Sequence, residues 1–134
     1  MKKFIIEDSF WDIFPEASIG IITVHGIDNH IKAENRYQPL LEEAEQKGLL
    51  WLTQDDFASN PVIAVWRDAF TRFKKKKGVR ASIEALLKRV YQGKHIGTIN
   101  PLVDIYNSIS LSYALPVGGE DIDKFEGNIR LTLA

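Results

Sequence analysis

Short apolar runs separated by polar punctuation mark out the elements of this chain, because the spacing inside each run fixes the face it can bury. Phe4, Ile5 and Ile6 predict a short opening strand, and Glu7 to Phe14 a helical turn stopped at Pro15. Ser18 to Ile27 reads as a buried strand: Ile19, Ile21, Ile22 and Val24 are β-branched, and Gly26-Ile27-Asp28-Asn29 closes the run with turn chemistry. A polar helix is predicted from Lys32 to Lys47, with Leu40, Leu41 and Ala44 inward and Gly48 as its stop. Pro39 sits awkwardly in its first half.

Asn60-Pro61 announces the next helix, the asparagine as a cap and the proline pre-set for the first helical position. Val62, Val65, Trp66, Ala69, Phe70 and Phe73 recur at helical spacing, and Gly78 is the expected end. A further helix starts at Ser82 with the stripe Ile83, Leu86, Leu87 and Val90, ending before Gly93. Asn100-Pro101 repeats the cap-and-proline signal, predicting a helix to about Tyr113 with Leu102, Val103, Ile105, Tyr106 and Ile109 toward the core. The paired glycines of Pro116 to Asp121 mark a loop, and Ile129, Leu131 and Leu133 alternate with polar residues as a half-buried strand. The predicted core includes Val62, Trp66, Phe70, Leu86, Leu87, Val103 and Ile109. The fold class is α/β (α+β), a sheet from both ends of the chain against about three helices.

Length and composition change this picture little. A chain of 134 residues, 45% hydrophobic and 26% charged, suits one domain over residues 1–134. No apolar run reaches the roughly 20 residues of a membrane span, so a membrane partner is not expected. The opening segment lacks the apolar core of a signal peptide, and zero cysteines exclude disulfides and thiolate metal sites, which together point to the cytoplasm. His25, His30 and His95 have no metal-ligand spacing, and no metal or cofactor is expected. No phosphate loop, nucleophile elbow or dinucleotide fingerprint is present, which argues against a nucleotide-dependent enzyme.

Charge distribution matters more. The net charge is only -1, but residues 72–94 hold nine Lys or Arg against the single acid Glu84, a local +8, leaving -9 for the rest. Such a segment attracts polyanions, with Lys74, Lys75, Lys76, Lys77 and Arg80 as the candidate phosphate contacts. A solvated turn kept soluble by its lysines is the plainer explanation of the same run.

The stretch Ile99 to Asn107, followed by Leu115 to Asp123 and Gly127 to Arg130, resembles the tRNA-binding editing domain of the phenylalanyl-tRNA synthetase beta subunit. Its free-standing relatives, the B-three/four domain proteins, are more similar still. Shared features are Trp66-Arg67, Arg80, the start Ser82-x-Glu84-Ala85-Leu86-Leu87, the loop Gly118-Gly119-Glu120-Asp121, and Phe14-Pro15 before the Ile19 to Val24 run. Two positions depart: the synthetase has a histidine where this chain has Gly118, and a threonine where it has Tyr106. The family pattern continues past position 134, so the chain is expected to be incomplete at its C-terminus, with a last-strand edge through which two copies could pair.

The resemblance implies recognition of tRNA or aminoacyl-tRNA, with hydrolysis of a misattached amino acid as the reaction. That chemistry needs a positioned water and donors for the developing oxyanion. Glu120 is the candidate general base, and Asn107 with the amides of Gly118 and Gly119 the candidate substrate ligands. In the competing reading Asn107 and the loop only satisfy backbone groups and cap the next segment, giving a non-catalytic binding module or a binder of an amino-acid-like molecule.

Overall fold

The computed structural model describes residues 1–32 and 36–133. Strand β1 (Phe4–Ile6) leads into helix α1 (Asp8–Ile13); α2 (Gln38–Leu49), α3 (Pro61–Ala69), α4 (Ser82–Tyr91) and α5 (Pro101–Tyr113) follow, and β2 (Ile129–Leu131) pairs with β1. The two strands run parallel in the register Phe4 to Ile129, Ile5 to Arg130 and Ile6 to Leu131. The ends of the chain are further tied by the Lys2 ammonium, which donates to the carbonyls of Ile122 and Phe125 and stands 4.5 Å from the Phe125 ring centroid. The mixed helix-and-sheet class and both terminal strands thus follow the pattern of the sequence.

The core lies where α2, α4 and α5 meet. Leu41, Ala44, Ile83, Leu87, Val90 and Leu111 are buried, and Ile63 brings α3 against them. Gly48 marks the closest approach: a Cβ there would stand 3.2 Å from Leu111 Cδ2 and 3.4 Å from Leu87 Cδ2. It belongs to α2 rather than ending it, because the crossing needs a residue without a side chain. Pro39 falls in the first turn of α2, where its missing N–H costs nothing. The predicted start near Lys32 leaves 33–35 outside the described residues, and Leu40 is exposed instead of inward.

Other expectations change for identifiable reasons. Ser18 to Asp28 forms no strand and is exposed throughout: the sheet among the described residues is the β1–β2 pair, and this run adds to neither of its edges. Helix α3 stops at Ala69, short of Phe73: the Thr71 hydroxyl donates to the Asp68 carbonyl, and the lysine run beyond would place like charges three and four apart. Phe73 leaves the helix and joins Phe70 and Phe14 in an aromatic cluster, with centroids 5.4 Å and 6.2 Å away. On α5 the buried residues are Asp104, Ser108, Ser110 and Leu111, whereas Ile105 and Ile109 are exposed. Val62, Trp66, Phe70, Leu86 and Val103 are half-buried. Helix α4 keeps its predicted stripe and ends at Tyr91, just before Gly93, whose φ of +74° is one a side chain resists.

Candidate functional site

Polar groups concentrate at the start of α5. At its start Asn100 Oδ1 accepts from the Val103 amide at 2.9 Å, as the sequence predicts for a cap. Asn29 Oδ1 takes the Leu102 amide at 2.8 Å, and buried Asp104 reaches back to the Ile99 amide at 2.8 Å. The first-turn amides are therefore spent inside the protein. Beside them lies a cavity of about 160 Å³ lined by Asp28, Lys32, Arg36, Tyr37, Asn100 and Asp104 among others. Carboxylates and cations share its wall. A hydrogen bond from His30, at 2.5 Å, together with the His30 amide holds the Asp28 carboxyl below the usual range. Periodicity gave no sign of this cavity, because its wall brings the turn at Asp28 and the start of the predicted Lys32 to Lys47 helix against the start of α5, segments far apart in the chain.

Further along α5, the glycine loop folds onto the helix. A Cβ at Gly119 would stand 3.2 Å from Tyr106 Cε2 and 4.0 Å from Leu102 Cδ2, so the loop lies on a tyrosine ring as closely as a glycine permits. Asn107, the next residue, is half-buried and forms no side-chain hydrogen bond among the described residues. Gly118 and Glu120 are exposed. Asp121 turns to its own segment, accepting the Asp123 amide at 3.0 Å. The structure thus brings the loop to the helix turn carrying Asn107, with Glu120 at the solvent side of the turn.

The basic segment is separate. Lys74, Lys76, Lys77 and Arg80 are exposed and Lys75 is half-buried in the connection between α3 and α4. None of the four lysines forms an ion pair among the described residues, whereas Arg72 pairs with Asp68 at 2.8 Å. Arg80 does have a partner, standing 3.7 Å from Glu84 Oε1. Glu84 is buried and also binds Arg67, holding that guanidinium above its usual range. Among the described residues no helix is long and apolar enough to cross a membrane, and no cluster of three or more His, Asp or Glu could hold a metal.

A small α/β domain with a polar cavity at one helix start, a glycine loop on the same helix and a free basic connection has the features of a binding domain. The family model of the B3/4 domain matches residues 65–134, and the chain belongs to that family, whose domain occurs in the phenylalanyl-tRNA synthetase beta subunit. The match includes the basic segment, α4, α5 and the glycine loop; residues 1–64 lie outside it. The search of curated proteins and the search of solved structures each found no match.

Proposed function

We propose that this B3/4 domain binds tRNA through the connection between α3 and α4. The observation that carries the reading is that the four lysines, unpaired among the described residues, fall inside the matched region. Phosphates are the natural complement of ammonium groups with no carboxylate beside them, and their neutralisation releases counterions. Fluorescence anisotropy with uncharged tRNA across a salt series tests it. Four phosphate contacts give a slope of log affinity against log salt near about -3, and replacing Lys74 to Lys77 with glutamine flattens it. Unchanged affinity and slope in that variant would leave the run as a solubility feature.

The same domain is consistent with hydrolysis of a mischarged aminoacyl ester, because the glycine loop packs on α5 at Tyr106, the residue before Asn107. Asn107 and the Gly118 and Gly119 amides would hold the carbonyl or ribose, and Glu120, exposed to water, would take a proton from it as it attacks. Deacylation measured over a panel of mischarged tRNAs separates catalysis from binding. Glu120→Gln lowers the rate about 10²- to 10⁴-fold with tRNA affinity unchanged, the usual contribution of a general base. Absent deacylation with retained binding would make this a binding module. The mixed-sign cavity beside Asp104 favours an amino-acid-like ligand in that case, and calorimetric titration with free amino acids would detect it.

A further inference from the structure

Glu84 is the one carboxylate within the basic segment 72–94, and the fold buries it. Its side chain is 6% exposed at the first turn of α4, and Oε1 accepts from Arg67 twice, from Nη2 at 2.6 Å and Nε at 3.1 Å. Arg80 Nε stands 3.7 Å from the same oxygen. The other oxygen, Oε2, is buried with no hydrogen-bond partner among the described residues.

As a device for stability this is costly. Desolvating an ion pair commonly cancels its attraction, and an unsatisfied buried oxygen adds a further penalty. As a device for geometry it is effective. The two arginine side chains, 37% and 42% exposed, come from different segments and converge on one oxygen, Arg67 through two hydrogen bonds and Arg80 as an ion pair at 3.7 Å. Arg67 commits Nε and Nη2 to Glu84, and Arg80 commits Nη1 to the Val79 carbonyl at 2.9 Å. Arg67 Nη1 and Arg80 Nη2 have no protein acceptor among the described residues. Two guanidinium charges over one carboxylate leave the cluster positive, and a guanidinium already held in place loses less freedom when it takes up a phosphate.

We propose that Arg67 and Arg80, clamped by Glu84, form a preset fork for a backbone phosphodiester of the bound RNA, with Glu84 as the positioning residue. The proposal rests on the tRNA reading above and names a contact within it. The four lysines add diffuse attraction from the connection that also carries Arg80, while Arg67 stands in the last turn of α3. Guanidinium donors suit phosphate better than an ammonium does because they pair with two of its oxygens at once.

Anisotropy of labelled, uncharged tRNA on the full chain tests it. Arg67→Gln and Arg80→Gln each weaken binding by about 3- to 10-fold and make the salt slope shallower by about 1, the signature of one lost phosphate contact. Glu84→Gln makes the surface more positive, so charge alone would tighten binding. The clamp requires it to weaken binding severalfold at constant slope, and affinity equal to or above wild type would overturn the clamp. Should Glu84→Gln fail to fold by circular dichroism, Arg80→Lys, at a half-exposed position, carries the test: weaker binding at unchanged slope supports the fork, and wild-type affinity refutes it. Loss of binding in the four-lysine variant with Arg67→Gln and Arg80→Gln unaffected would sink the fork and leave the tRNA reading standing. Absence of binding by the wild-type protein would remove both.

Discussion

His95 titrates against a buried partner. Glu45 accepts the Ile96 amide at 2.7 Å with one oxygen and faces His95 Nδ1 at 2.9 Å with the other. That hydrogen bond, and then the Glu45 charge, hold the imidazole above its ordinary value. A raised folded value stabilises the protein fully below the unfolded value, near 6.5, and that contribution is lost as pH rises through the folded one. Thermal melts followed by circular dichroism should therefore show Tm falling between about pH 6 and pH 8, and His95→Gln should flatten the fall. Parallel profiles for the two proteins would mean that the Ile96 amide alone anchors Glu45. Asn60 is a second buried polar anchor, taking the Gln54 amide at 2.9 Å and donating to the Phe57 carbonyl at 3.0 Å. The sequence pattern assigned it to capping α3, but its side chain holds the preceding loop and makes no cap bond. Asn60→Ala strands those groups and should cost about 1–3 kcal/mol in urea unfolding; a change under about 0.5 kcal/mol would show that water replaces it.

Helix α2 meets α5 and α4 at Gly48, and this contact governs how closely the three can pack. Gly48→Val would drive a branched side chain toward Leu111 and Leu87, and overpacking of this kind costs about 1–3 kcal/mol. Equal stability of the variant, measured by denaturant titration, would show that the helices separate freely. At the start of α5 the Asn100 cap is the feature that sequence and structure describe identically. Asn100→Ala should cost about 0.5–2 kcal/mol. The caps and proline positions of a helix are local chemistry, which is why α3 and α5 begin at Pro61 and Pro101 as their sequences say. Helix faces are less local: α5 buries Asp104, Ser108 and Ser110 because hydrogen bonds to the Ile99 amide, the Asp104 carbonyl and the Leu115 carbonyl satisfy them.

For the molecule as a whole, the largest departure from its hydrophobic pattern is the stretch Ser18 to Ile27, where Ile22 is 89% exposed. Ile22→Lys should change the unfolding free energy by less than about 0.5 kcal/mol, the usual range for surface sites. A loss above about 2 kcal/mol, with sedimentation showing a monomer in both proteins, would return this run to a buried strand. The pattern of residues determined the terminal strands, the existence of all the principal helices, the start and end of α4 and α5, and the basic segment, because spacing, capping and charge are written in neighbouring positions. Only the tertiary structure decided that the Ser18 to Ile27 run joins no sheet and that Gly48 is a crossing point. It alone placed the glycine loop on Tyr106 and set Glu84 between Arg67 and Arg80. Each of these depends on what a distant segment brings to the same place, and no local periodicity encodes the identity of a distant neighbour.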